Sequence, residues 1–163
     1  MTSVSSGWSV HRFLSRLSSA EPSPGGGSAS ALASALGCAV AGKVCRLVLK
    51  RRRTPARARP ALRKTQAELA RLSRRLEGLI REDALAYAAL VRAAGTERDR
   101  ARARAITCPV SICECSVLAL RCVKRLEPLA GPHLGSDLKA ARGLLTAGFE
   151  GAHAMVKTNL EQT

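Results

Sequence analysis

Residues 28–50 read SASALASALGCAVAGKVCRLVLK. Alanine and leucine, both strong helix formers, fill this stretch, and no proline interrupts it. Small residues recur at Ala29, Ala33, Gly37, Ala41 and Gly42. On a helix that spacing opens a face on which another backbone can come close. Lys43 and the many Gly and Ala positions favour a packed interior helix over a membrane span, because no run of 18 uncharged apolar residues exists.

Working outward, EPSPGGGS at 21–28 holds two prolines and three consecutive glycines, which cannot continue a helix. Upstream of it, Ser9 is placed to cap a short amphipathic helix carrying Val10, Phe13, Leu14 and Leu17. Downstream, Pro55 and Pro60 mark a turn, and Pro60 suits the first turn of a long helix running to about Ala94. Glu97–Ala105 reads as a short charged helical stretch, and Pro109 as the start or kink of a further helix through about Leu129. Gly131, Pro132 and Gly135 break the chain again, before Ser136 or Asp137 caps a last helix to about Leu160. Aromatic residues are confined to Trp8, Phe13, Tyr87 and Phe149, and no stretch reads as a strand. The expectation is an all-α, single-domain bundle of five to six helices over residues 1–163.

The 27 Lys and Arg against 12 Asp and Glu give a net charge of +15, a field that attracts polyanions. Between Lys43 and Lys64 lie ten basic residues and no acidic one. Nucleic acid is the usual partner of such a field, yet there is no helix-turn-helix or zinc-finger signature, and aromatics for base stacking are scarce. A polar N-terminus without an apolar h-region argues for the cytoplasm, where six cysteines are free thiols. Cys108, Cys113, Cys115 and Cys122 form no CxxC pair, so these residues read as small core side chains rather than zinc ligands.

Two acids break the local pattern. The long helix carries an apolar seam through Leu62, Leu69, Leu72, Leu76 and Leu79 to Tyr87 and Leu90, and Asp83 falls on it. A carboxylate facing a core or cavity is kept when it is paired, by an arginine or a helix N-terminus, or when it does chemistry. Glu114, in the otherwise apolar or small-residue run PVSICECSVLAL, is either a desolvated proton-transfer group or a solvent-facing residue of an amphipathic helix. The glycines at 25–27 would let a ligand approach backbone N–H groups at a helix start, or else form a flexible linker. They lack the spacing of a dinucleotide fold or a P-loop. His11, His133 and His153 are scattered and read as surface or packed residues, with His133, in the loop before Ser136, the least secure of the three.

These blocks, taken together, resemble the formiminotetrahydrofolate cyclodeaminase and methenyltetrahydrofolate cyclohydrolase family. EPSPGGGSASALASALGCAVA is similar to that family's P-[TS]-P-G-G-G-S loop and the alanine-rich helix after it. IREDALAY at 80–87, TERDRARARAI, PVSICE at 109–114, SDLKAA at 136–141 and GAHAMVKTNL follow in family order. The resemblance implies an all-helical homodimer that binds folate near the subunit interface and needs no cofactor beyond its tetrahydrofolate substrate. It implies a catalytic acid/base at Asp83, the anomaly of the seam; Glu114 stands as a second catalytic candidate on its own setting in the apolar run, not on the resemblance. Gly25, Gly26, Gly27 and Ser28 would form the folate-contacting loop, with Ser136, Asp137 and Asn159 as further polar contacts. Arg81 stands where many relatives carry another Asp, and Met155 where an Asn is frequent. The basic tract would then attract the folate glutamate tail, polyglutamylated or not.

Overall fold

A computed structural model describes residues 7–161. Its elements are α1 (Val10–Leu17), α2 (Gly26–Lys50), a 3-10 turn at Ala56–Ala58, α3 (Arg59–Arg92), α4 (Thr96–Ala130) and α5 (Pro132–Glu161), with no strand among the described residues. The expected helix over residues 28–50 is α2, begun two residues earlier. Ser9 caps α1 as its sequence requires, its side chain accepting from the Arg12 N–H at 3.2 Å.

Two expected breaks are absent. The separate segments over 97–105 and from Pro109 are one continuous helix, with Pro109 buried inside it. Gly135 lies within α5, which starts at Pro132, where proline loses nothing because a first-turn N–H has no helical partner. Two of the breaks that do occur, before α4 and before α5, fall at glycines of positive φ. Gly95 and Gly131 have φ of 54° and 68°, values that only glycine reaches without strain, and they precede α4 and α5.

The four long helices pack in a ring, α2 against α3 and α5, and α4 against α3 and α5. The heptad-like seams decide which faces meet. Leu62, Leu69, Leu72, Leu76 and Leu79 of α3, Cys108, Ile112, Cys115, Ala119, Cys122 and Leu126 of α4, and Leu138, Ala141, Leu145, Gly148 and Ala152 of α5 are all buried. Phe13 brings α1 onto the same core. Cys38, Cys108 and Cys122 sit in this core, and burial pushes their thiols up to about 12, 12 and 11 respectively. They are packing groups at neutral pH, as expected, because the thiolate is the reactive form. Stretches of α2 and α4 are long and apolar enough to cross a membrane by length and composition, and 50% and 44% of them is buried inside the bundle.

The α2–α5 contact depends on missing side chains. A Cβ on Gly37 would lie 2.9 Å from Ala141 O and 2.6 Å from Leu145 Cγ. One on Gly148 would lie 2.7 Å from Ser30 O and would overlap Ser34 Oγ. Ser34 in turn shares a 2.7 Å hydrogen bond with Ser116 of α4, whose hydroxyl also donates to Ile112 O, so the polar atoms in this contact are satisfied. Gly148→Ala should therefore cost about 1–3 kcal/mol of stability by overpacking, measured by denaturant unfolding. An unchanged midpoint would mean that the two helices are not held at this distance.

Candidate functional site

The start of α2 is a helix end without its own cap. Gly25 takes the N-cap position in extended conformation and has no side chain to offer. The missing acceptor comes from α3. Asp83 accepts from the backbone N–H of Ser28, the third residue of α2, as an N-cap side chain would. Asp83 Oδ2 also lies 2.9 Å from Ser28 Oγ. A Cβ on Gly27 would fall inside the Asp83 carboxylate, so the approach requires glycine there. The helix-N-terminus alternative for Asp83 is thus realised, and it is not the whole account of the residue.

Ser28 Oγ faces two acceptors, Asp83 Oδ2 and Ile80 O at 3.1 Å. One hydroxyl proton cannot serve both. When Asp83 is protonated, its carboxyl donates to Ser28 Oγ, which donates to Ile80 O, and each partner is satisfied. Burial pushes the Asp83 carboxyl above the ordinary carboxylate range, and the two Ser28 hydrogen bonds hold it down only in part. A carboxyl in that condition can give and take a proton.

Asp83 opens into a cleft of about 340 Å³ whose walls include Gly25, Gly26, Gly27, Tyr87, Ala105, Met155 and Asn159. Four helices meet here: the start of α2, the second half of α3, the first third of α4 and the end of α5. Tyr87, expected on the buried seam, is 46% exposed and is one of the residues that line the cleft. Asn159 Nδ2 donates to Ala105 O at 2.7 Å.

Of the residues singled out in the sequence, Asp83, Gly25, Gly26, Gly27, Ser28 and Asn159 come together at this end of the bundle. Three do not. Glu114 is exposed on α4, off the seam of Cys108, Ile112 and Cys115, which is its solvent-facing reading. Ser136 is exposed, and Asp137 pairs with Lys43 at 3.3 Å. Both lie roughly 34 Å from Asn159 along α5 at 1.5 Å per residue, outside this chain's cleft. The basic tract is also remote, since α2 separates Gly26 from Lys50 by roughly 35 Å. Three of its residues, Arg51, Arg52 and Arg53, line with His133 and the start of α5 a second, open pocket at the opposite end. Met155 and Tyr87 are wall residues that the site readings missed. The signal for Met155 was periodicity, because 138, 141, 145, 148, 152, 155 and 159 continue one seam.

Because the folded carboxyl of Asp83 holds its proton more tightly than the unfolded one, the native state binds more protons from about pH 4 up to the raised native value. Its contribution to stability is complete below that window and is lost as pH rises through it. Subtracting the unfolding free energy of Asp83→Asn from that of the wild type should give a difference that falls with pH across the window and then levels. A difference that rises with pH would mean an Asp83 stabilised as the anion.

The sequence profile described as formiminotransferase-cyclodeaminase matches residues 9–163. A methenyltetrahydrofolate cyclohydrolase from Methylorubrum extorquens is 32% identical over 93 residues, which cover 55% of this chain and 43% of that protein. The chain therefore spans less than half the length of this curated relative. The crystal structure of formiminotetrahydrofolate cyclodeaminase from Thermotoga maritima superposes with a TM-score of 0.90 over 96% of this chain and 80% of the other, at 21% identity, a likeness of fold. With the match running through all five helices, the chain belongs to the formiminotransferase-cyclodeaminase family.

Proposed function

We propose that this chain is a folate one-carbon enzyme, a formiminotetrahydrofolate cyclodeaminase that forms 5,10-methenyltetrahydrofolate and ammonia, with Asp83 as its acid/base. The observation that carries the reading is a carboxyl of raised proton affinity, held at a glycine-lined helix start and open to a cleft. In the reaction, N10 attacks the carbon of the protonated formimino group (CH=NH2+), giving a tetrahedral carbon that carries an amino group between N5 and N10. The formimino nitrogen accepts a proton from Asp83 and leaves as ammonia, and the N10 proton returns to the carboxylate. The remaining cation lies beside that carboxylate, which stabilises charge as it develops.

A second reading is supported by the name of the curated relative, a methenyltetrahydrofolate cyclohydrolase. There, water adds to the methenyl carbon as Asp83 takes its proton. The carboxyl then protonates N5 as the C–N5 bond breaks, and the hydroxyl gives up its proton to solvent as the C=O forms, leaving the 10-formyl compound. Both readings use the same group in the same cleft and call for no cofactor beyond the tetrahydrofolate substrate. A homodimer in the cytoplasm completes the proposal. The non-enzymatic alternative, a basic helical module for nucleic acid, rests on the arginine-rich far end.

Absorbance of methenyltetrahydrofolate separates the outcomes: it should appear from the formimino substrate, or disappear when methenyltetrahydrofolate is supplied alone. Asp83→Asn should lower whichever rate is seen by about 10²–10⁴-fold with unchanged circular dichroism. Full activity in that variant would remove Asp83 from the chemistry. Steep salt-dependent DNA binding with neither activity would favour the nucleic-acid reading.

A further inference from the structure

Pro109 lies inside α4, buried and without an N–H. In an uninterrupted helix the N–H of residue 109 would donate to the carbonyl of residue 105. Here that carbonyl is taken by Asn159, whose Nδ2 donates to Ala105 O at 2.7 Å from the far helix α5. The backbone acceptor orphaned by the proline is thus satisfied by a side chain 54 residues away. A carboxamide with its nitrogen so fixed has its oxygen fixed too. No hydrogen bond within the described residues engages Asn159 Oδ1, and Asn159 and Ala105 both line the cleft that holds Asp83.

We infer that Pro109 is a positioning residue of this cleft: by freeing the Ala105 carbonyl it locks the Asn159 amide so that Oδ1 is presented to the ligand as a fixed acceptor. The group that such an acceptor takes is an N–H donor, and the amino and ring N–H edge of a reduced pterin is of that class. This last step rests on the folate reading, while the coupling between Pro109 and Asn159 does not. Pro109 itself touches no ligand. Its effect passes entirely through the amide it orients, with Asp83 and Asn159 as two polar groups on different walls of one cleft.

Pro109→Ala tests the coupling, because alanine is the better helix former and restores the missing hydrogen bond, which offsets the buried ring contacts it gives up. Unchanged circular dichroism should show that the helix is kept. In the wild type, one side-chain amide proton of Asn159 should be shifted and protected from exchange in ¹⁵N-resolved spectra, and Pro109→Ala should abolish both features. Binding of 5-formyltetrahydrofolate, measured by calorimetry, should weaken roughly 3- to 10-fold in Pro109→Ala, the loss of one oriented hydrogen bond. In an Asn159→Ala background the same substitution should change affinity no further. Unaltered Asn159 amide signals in Pro109→Ala, or an equal loss of affinity in both backgrounds, would overturn the inference. If the wild type fails to bind 5-formyltetrahydrofolate, the folate reading fails, and the amide signals alone decide whether Pro109 orients Asn159.

Discussion

The close approach of α2 to its neighbours is the constraint from which the rest of the structure follows. Gly37, Gly148 and Gly151 remove the side chains that would hold α2 and α5 apart, and Gly27 does the same between α2 and α3. Interior packing tolerates little slack, so the distance and register set by these contacts are carried along the whole helix. That register brings the uncapped start of α2 against Asp83. It also brings the last turns of α5 against Ala105. A bundle with ordinary leucine-sized contacts at these positions would have the same helices and no carboxylate within reach of Ser28.

The site is built where the helical seams turn polar at one end. On α3 the seam of buried leucines ends at Leu79, and the next position inward is Asp83. On α5 it passes through Gly148 and Ala152 to Met155 and Asn159. Each polar side chain is then held by a backbone group left unpaired for a separate reason. Asp83 takes an N–H that helix geometry always orphans at an N-terminus, and Asn159 takes a C=O orphaned by proline. The unpaired groups at helix ends and at a mid-helix proline are thus used to orient side chains rather than left to solvent.

Charge is arranged differently. Ten basic residues concentrate near the other end of α2, and of these Lys43 makes an ion pair with Asp137 while Arg51 and Arg59 donate to backbone carbonyls. The Arg51 guanidinium closes the end of α4 at Ala130 O, a favourable place for a cation beside the negative end of a helix dipole. Part of the basic tract therefore serves to finish helix ends, which net charge alone does not reveal.

Composition and periodicity alone determined the all-helical fold, the long α3 seam and the anomaly at Asp83, because burial of an apolar stripe is a local pattern with a period near 3.6. The same local rules misjudged Pro109 and Gly135 as boundaries, since tertiary packing outweighs the intrinsic cost of a helix breaker. They also left Glu114 ambiguous, although the phase of Cys108, Ile112 and Cys115 places it on the outer face. Which polar residues share a cleft was decided by the tertiary structure. Ser136 and Asp137 lie on the same helix as Asn159 yet at its other end, and the Ala105 carbonyl meets its partner 54 residues along the chain. Side-chain periodicity reports which way a residue faces on its own helix; only the packed bundle fixes what stands opposite.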